Sequence, residues 1–262
     1  MTALLGGPSP RPLAFELPDP VRWVLEVVEI GPLTPGVTRV RARAHSPDDG
    51  PGQLLHAPGQ DVTVALPGRD GTVVKRRYTI ASYDAASGLL DLAVVAHGDG
   101  PGARWLGSAE PGARVDAVGP RGKVTLVSGV STHLFVGDEA SLAAVTRLVA
   151  AIRPGGRAVV VADVEDDREL RPLAVGPGVG LAAHWLERAG APAESPDRVL
   201  AALESIELDE SDVHAYVLGE AHVVAAAHGA LASRLGPHCV SAKAYWRVGR
   251  ANAERGEPDG DL

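Results

Sequence analysis

The residue pattern changes rhythm near residue 130, and that change limits the folds open to this chain. Before it, short β-rich runs alternate with turn clusters. Val21–Ile30 and Val37–Ala44 read as strands. The second sets Val37, Arg39, Arg41 and Arg43 against Thr38, Val40, Ala42 and Ala44, the period of a half-buried strand. Gln60–Leu66, Val73–Ser82 and Leu89–Ala96 repeat the theme, separated by turns at Ser46–Gly52, Pro67–Gly71 and Asp84–Gly88. Short strands so spaced predict an antiparallel barrel or sandwich. After the change, strands alternate with helices. Thr132–Val136 and Ala158–Ala162 are apolar strands, the second with no polar break, as when both sheet faces are covered. Glu139–Ile152 has helical period, with Leu142, Val145, Leu148, Val149 and Ile152 on one side, and Arg153-Pro154-Gly155-Gly156 ends it. Leu181–Ala189, Ser195–Glu204 and Glu220–Leu235 read as helices, Val213–Leu218 and Cys239–Trp246 as strands. This alternation predicts a parallel sheet. The expected organisation is a tail at 1–20, an antiparallel Greek-key β-barrel at 21–128, an α/β unit at 129–250 and an acidic tail at 251–262.

Composition removes several functions. A net charge of −8 without a basic stripe disfavours nucleic acid, whose binding is driven by phosphate neutralisation. The single cysteine, Cys239, excludes an internal disulfide, a cysteine-based zinc site and a cysteine-ligated iron–sulfur cluster. Any redox work must then fall to a bound cofactor. No compact histidine pattern suggests a metal, and no Gly-x-Ser-x-Gly elbow suggests a hydrolase. No apolar run approaches the ~18 residues of a membrane span. Met1–Pro20 holds five prolines and lacks the basic start and apolar core of a secretory signal, so a cytoplasmic location is expected. Aromatic residues are only 4% of the chain, so each is informative.

Two segments carry chemistry. Arg76-Arg77-Tyr78-Thr79 ends a strand, where a flat ring can stack on a planar cofactor and a guanidinium can hold a phosphate. The same residues also suit a plain hairpin strand. His97-Gly98-Asp99-Gly100-Pro101-Gly102-Ala103-Arg104-Trp105-Leu106 follows a strand and opens a short helix. Its glycines admit a close ligand, and free amides at the helix start favour phosphate. A glycine-rich turn over a packed Trp105 is the alternative. Gly176-Pro177-Gly178-Val179-Gly180 imitates half of a dinucleotide fingerprint, but residue 181 is Leu, and it reads as a loop. Asp163, Glu165, Asp166 and Asp167 follow a strand. They read as a solvated loop, or as ribose ligands that would favour NADH.

Taken together, Arg-x-Tyr-Thr and His-Gly-Asp-Gly-Pro-x-x-Arg-Trp resemble the siderophore-interacting proteins, flavin-dependent members of the ferredoxin-reductase superfamily. Pro58-Gly59-Gln60 fits the wider superfamily. Pro111-Gly112 and Gly119-Pro120 look like the turns after the barrel, and Val136-Gly137-Asp138-Glu139 like the segment opening the nucleotide unit. Trp185-Leu186-x-Arg188 looks like the family's Trp-Leu-x-Arg helix, and Gly219-Glu220 and Tyr245-Trp246-Arg247 like its C-terminal signatures. The resemblance implies an FAD-binding barrel and an NAD(P)H-binding-like α/β unit. By position, Arg76, Tyr78 and Thr79 would meet the flavin and its phosphate. His97, Gly98, Gly100, Pro101, Ala103, Arg104 and Trp105 would line the pyrophosphate and adenosine, and Gly137, Asp138 and Glu139 would close the nicotinamide side. Two departures stand out. Ala81 replaces a frequent Arg, and Ala140-Ser141-Leu142-Ala143 replaces Thr-Ala-x-Pro. The second bears on nicotinamide use rather than on FAD.

The implied reaction is reduction of ferric to ferrous iron in a siderophore, with electrons from NADPH, NADH or a ferredoxin-type protein. Lys243, Arg247 and Arg250 cluster near the C-terminus and would offer a cationic rim to an anionic ferric siderophore, or act only as solubilising charges. A general flavin reductase and a non-catalytic siderophore-binding protein of the same fold remain as alternatives.

Overall fold

The computed structural model describes residues 12–46, 53–95 and 100–249. Six strands close an antiparallel barrel: β1 (Val21–Pro32), β2 (Val37–His45), β3 (Asp61–Pro67), β4 (Val73–Asp84), β5 (Leu89–Val95) and β6 (Arg114–Arg121), in the order β1-β2-β5-β4-β3-β6. Helix α1 (Pro101–Ser108) lies between β5 and β6. Alternation decides which side chains turn inward. On β2, Val40, Ala42 and Ala44 are buried with Leu25, Leu66, Ile80 and Leu92, while Arg41 points outward and pairs with Asp91 of β5 at 2.7 and 2.9 Å. Strand β6 corrects the sequence reading. Gly119-Pro120, expected as a turn after the barrel, lies inside β6, the strand that closes the barrel by pairing with both β1 and β3. The Gly119 carbonyl accepts a bond from Trp23 Nε1 at 2.9 Å. Two breaker residues hid a strand that neighbours on both sides hold in place.

The second half is a five-stranded parallel sheet, β7 (Thr132–Asp138), β8 (Arg157–Val164), β9 (Gly180–Glu187), β10 (Val213–Glu220) and β11 (Val240–Trp246), in the order β11-β10-β7-β8-β9. Its helices are α2 (Leu142–Ala150), α3 (Asp197–Ser205) and α4 (Ala221–Leu235). Successive strand residues feed opposite faces. Phe135, Val160 and Tyr216 pack with Leu142, Val145 and Leu148 of α2. Leu134, Val159 and Val217 pack with Val199 of α3 and Val224 of α4. Phe135 and Tyr216 stack at 4.9 Å, which helps fill a core poor in large side chains.

Residues 181–187 are a strand, not the helix that Leu181–Ala189 was expected to form. Leu181 and Trp185 have helical spacing, but this segment is the sheet's edge. Every residue of β9 pairs with β8, and all its side chains are at least partly exposed, so no inward stripe marks the period. The Trp185-Leu186-x-Arg188 segment therefore runs along a sheet edge. Gly176–Gly180 is a loop, as read, leading into β9 rather than into a helix.

Candidate functional site

Three neighbouring places concentrate the chemistry. The first is the barrel rim. β4 sets Tyr78 opposite Val62 and Thr79 opposite Asp61 of β3. Tyr78 is buried and its ring stacks on Trp105 of α1, with centroids 6.0 Å apart and planes at 23°. A Cβ on Gly102 would stand 2.7 Å from the Tyr78 hydroxyl, so only glycine lets α1 lie this close. Burial pushes the Tyr78 phenol up to about 12, keeping it neutral. Helix α1 starts at Gly100 with no side-chain cap, and Pro101 occupies its first turn. Its opening amides are therefore left to solvent or a ligand. Arg76 donates to the Lys75 carbonyl at 2.8 Å, and burial, helped by the charge of Arg104, pulls its pKa down. Both rings lie in the barrel core, as a plain strand and a packed Trp105 would have them, so what the rim offers a ligand is two guanidiniums and an uncapped helix start, which suit a phosphate. Pro101, Ala103 and Arg104 lie along this helix; His97 and Gly98 fall outside the described residues.

The second place is the switch point of the sheet. The chain leaves β7 for β8 on one side and later returns to β10 on the other, so a crevice opens at the carboxyl ends of β7 and β10. It is narrow, with room for about one water molecule, and is lined by Gly137, Asp138, Asp163, Ala193, Leu218 and Glu220, among others. Asp138 is its centre. Its Oδ2 accepts from Trp246 Nε1 at 2.7 Å and its Oδ1 from the Ser141 amide at 3.2 Å. Burial raises its pKa to about 6, against the lowering effect of the Trp246 bond. Gly219 has φ +138°, and a Cβ there would lie 2.6 Å from Asp138 Oδ2. Glycine is required on both counts. Glu139 turns away from the crevice. It accepts from the Glu165 amide at 2.5 Å and from Arg188.

The acidic run is not simply a solvated loop. Asp163, at the end of β8, is buried and bonded to Arg198 at 3.1 and 3.2 Å, with Arg188 3.5 Å away. Glu165 pairs with Arg188 at 3.4 Å, and Asp166 holds the Arg168 amide at 2.9 Å. Asp163 meets its arginines because a buried charge must be paired, whereas Glu165 and Asp167 beyond it are exposed.

The third place is the seam between barrel and sheet. Lys243 of β11 reaches Asp61 of β3 at 2.6 Å, and Arg77 reaches the same carboxylate at 2.9 Å. Lys243 Nζ also sits 5.1 Å from the centre of the Tyr245 ring. The Tyr245 phenol, its pKa raised by burial, is hydrogen-bonded to Thr79. Arg247 is exposed; Arg250 falls outside the described residues. The structure thus brings Thr79, Lys243 and Tyr245 together, and Asp138 with Trp246. Sequence reasoning missed Gly102, Gly219 and Asp61 as site residues. Gly219 and the Tyr245-Trp246 pair were visible as signatures without a role; Asp61 follows directly on Pro58-Gly59-Gln60 without any local signal.

Among the described residues no group of three or more His, Cys, Asp or Glu is placed to hold a metal, and no helix is long and apolar enough to cross a membrane.

An antiparallel barrel followed by a parallel sheet is a ferredoxin-reductase-like fold. Comparison with known proteins narrows this class. Residues 26–124 match the siderophore-interacting FAD-binding domain, and residues 130–249 match the siderophore-interacting protein family. The chain belongs to that family. It is 26% identical over 182 residues to the ferric vibriobactin reductase ViuB of Vibrio cholerae, covering 68% of this chain and 66% of that protein, just under two thirds of its length. It is 40% identical over 111 residues to ferredoxin–NADP reductase B of Sorangium cellulosum, covering 42% of this chain and 43% of that one. The crystal structure of a siderophore utilization protein from T. fusca superposes with a TM-score of 0.78 at 27% identity, covering 91% of this chain and 97% of that one.

Proposed function

We propose that this protein is a cytoplasmic, FAD-dependent ferric-siderophore reductase, with an FAD-binding barrel at 21–128 and an NAD(P)H-binding-like unit at 129–250. The observation that carries the reading is the barrel rim: Tyr78 stacked on Trp105 beside Arg76, Arg104 and the uncapped start of α1. Arg76, Tyr78 and Thr79 would hold the flavin side of FAD. His97, Gly98, Gly100, Pro101, Ala103, Arg104 and Trp105 would hold its pyrophosphate and adenosine. FAD, when bound, supplies a carrier that accepts a hydride and passes electrons singly.

Gly137, Asp138 and Glu139 mark the side from which NADH or NADPH would approach. As it stands the crevice has room for about one water molecule, so a dinucleotide would lie across its mouth rather than within it. With Asp163 bound to Arg198 and Arg188, the ribose contact that would favour NADH is weakened. A ferredoxin-type protein is the other donor. Lys243, Arg247 and Arg250 would face the iron complex. Hard oxygen ligands hold ferric iron far more tightly than ferrous iron, so one electron releases the metal.

The test has two parts. Purified protein should be yellow or take up added FAD; a colourless protein that binds none refutes the reading. With FAD bound, a ferrous trap should report iron release from a ferric siderophore with at least one donor. A second reading, electron delivery to a protein acceptor, draws on the 40% identity to the Sorangium reductase. Reduction of a cytochrome or quinone without any trapped ferrous iron would select it.

A further inference from the structure

One buried carboxylate holds two cations at the seam. Asp61 is 3% exposed; its Oδ1 accepts from Arg77 Nε at 2.9 Å and its Oδ2 from Lys243 Nζ at 2.6 Å. Arg121 is its partner in the pairing of β3 with β6, and the exposed Lys123 lies two residues further along the chain. At Gly122, where β6 has left the barrel, a Cβ would come within 3.5 Å of Asp61 Oδ2, 3.6 Å of Lys243 Nζ and 3.7 Å of Arg77 Nη2. The three charged groups therefore converge on one point of the backbone. Tyr245, beneath Lys243, links the same point to Thr79 on the proposed flavin edge.

We propose that Asp61 determines the charge selectivity of the substrate site, acting as a built-in counter-ion that competes with an anionic iron chelate for Arg77 and Lys243. The proposal rests on the reading of this chain as a ferric-chelate reductase. An anionic ligand oxygen that takes the Lys243 ammonium must first break its 2.6 Å bond to Asp61 and then lie beside that carboxylate. Each negative charge on the chelate makes this worse, because like charges in a half-buried setting repel strongly. A neutral chelate incurs no such repulsion. The substrate class follows: ferric complexes of zero or low net charge, such as tris-hydroxamates, rather than trianionic tris-catecholates.

The experiment titrates FAD-loaded protein with a trianionic ferric tris-catecholate and a neutral ferric tris-hydroxamate, read by quenching of tryptophan fluorescence. Asp61→Asn should tighten binding of the trianion by about tenfold and change that of the neutral complex by less than about twofold. Lys243→Gln should weaken the trianion and spare the neutral complex, and the double variant should return the trianion towards its wild-type affinity. Equal changes for both complexes, or no change in D61N, would overturn the role of Asp61. If D61N does not fold, K243Q decides alone: equal loss for both complexes overturns the proposal. Failure of every protein to bind either complex would overturn the ferric-chelate reading, and this inference with it. Binding of both complexes by wild type, with D61N unmoved, would overturn the inference alone.

Discussion

Replacing Asp138 by asparagine should shift stability towards the variant as pH rises through about 6, and the shift should be absent in acid. Asp138 is fully buried at the switch point, and its pKa stands at about 6 against an ordinary 3.8. Loss of hydration is the main cause; the indole bond from Trp246 offsets part of it. The folded chain thus holds this proton more tightly than the unfolded chain. A raised carboxyl pKa gives a relative stability that is full below pH 3.8 and is lost as pH rises through about 6. The gap between 3.8 and about 6 corresponds to about 3 kcal/mol above pH 7. In D138N the amide oxygen can still accept from Trp246 while the NH2 faces the Ser141 amide, a cost that does not vary with pH; there is no charge to bury, so this pH dependence disappears. The assay is urea unfolding of flavin-free wild type and variant at matched pH values. The difference in unfolding free energy should move towards the variant by about 3 kcal/mol between about pH 4 and about pH 8. Other groups cancel in the difference. Trp246 fluorescence should also titrate near 6 in the wild type and not in the variant. A stability difference that is flat with pH, or that grows in acid, would refute the reasoning.

Three further outcomes are expected. Gly102→Ala drives a methyl to within 2.7 Å of the buried Tyr78 hydroxyl, so α1 must shift; FAD affinity should fall by about tenfold in a flavin-fluorescence titration, with overpacking of about 1–3 kcal/mol in the fold. Arg188→Met leaves buried Glu139 and Asp163 short of a cation and should cost about 3–5 kcal/mol in chemical denaturation, whereas Glu165→Gln, at a side chain 54% exposed, should change stability by less than about 1 kcal/mol. Glu169→Ala strips the acceptor from Thr34 and from the Gly36 amide, which it meets at 2.6 Å, and should cost about 1–3 kcal/mol; an unchanged denaturation midpoint would show that water replaces the carboxylate there.

Segments with strong local signals were legible in the sequence. The arginine alternation of β2 and the apolar stripe of α2 each name their own inward face, so barrel and sheet could be read from period alone. β9 could not, because an edge strand with both faces half-exposed has no inward face to name. β6 was hidden by Gly119-Pro120, whose breaker chemistry is overridden by pairing on two sides. The aromatic and arginine residues of the rim were found because β4 and α1 carry them as contiguous segments. Asp61 was not found, because its partners lie 16 and 182 residues away and meet it only when β11 packs on the barrel. Within the acidic run, a solvated loop at residues 165–167 as read, only Asp163 was misjudged, for a related reason. It owes its burial to Arg188 and Arg198, which arrive from later elements.

The net charge of −8 predicts that an anionic ligand is repelled, and repulsion weakens as salt is added. The structure argues the opposite for the rim. Several carboxylates are spent inside the fold: Asp163 on Arg198, Glu169 on Thr34 and Gly36, and Glu220 on the opening amides of α4. A ligand feels mainly charges within a screening length, about 8 Å at physiological ionic strength. Within that range at the rim stand Arg76, with Arg104 close enough to shift its pKa, whereas at the seam Arg77 and Lys243 are already engaged by Asp61. Local potential rather than the total steers the ligand. Affinity for inorganic pyrophosphate, an anion with no ring to stack, should therefore fall as salt rises from low to physiological strength, measured calorimetrically on flavin-free protein. An affinity that rises with salt would mean that the global charge governs and that these cations do not act as a cluster.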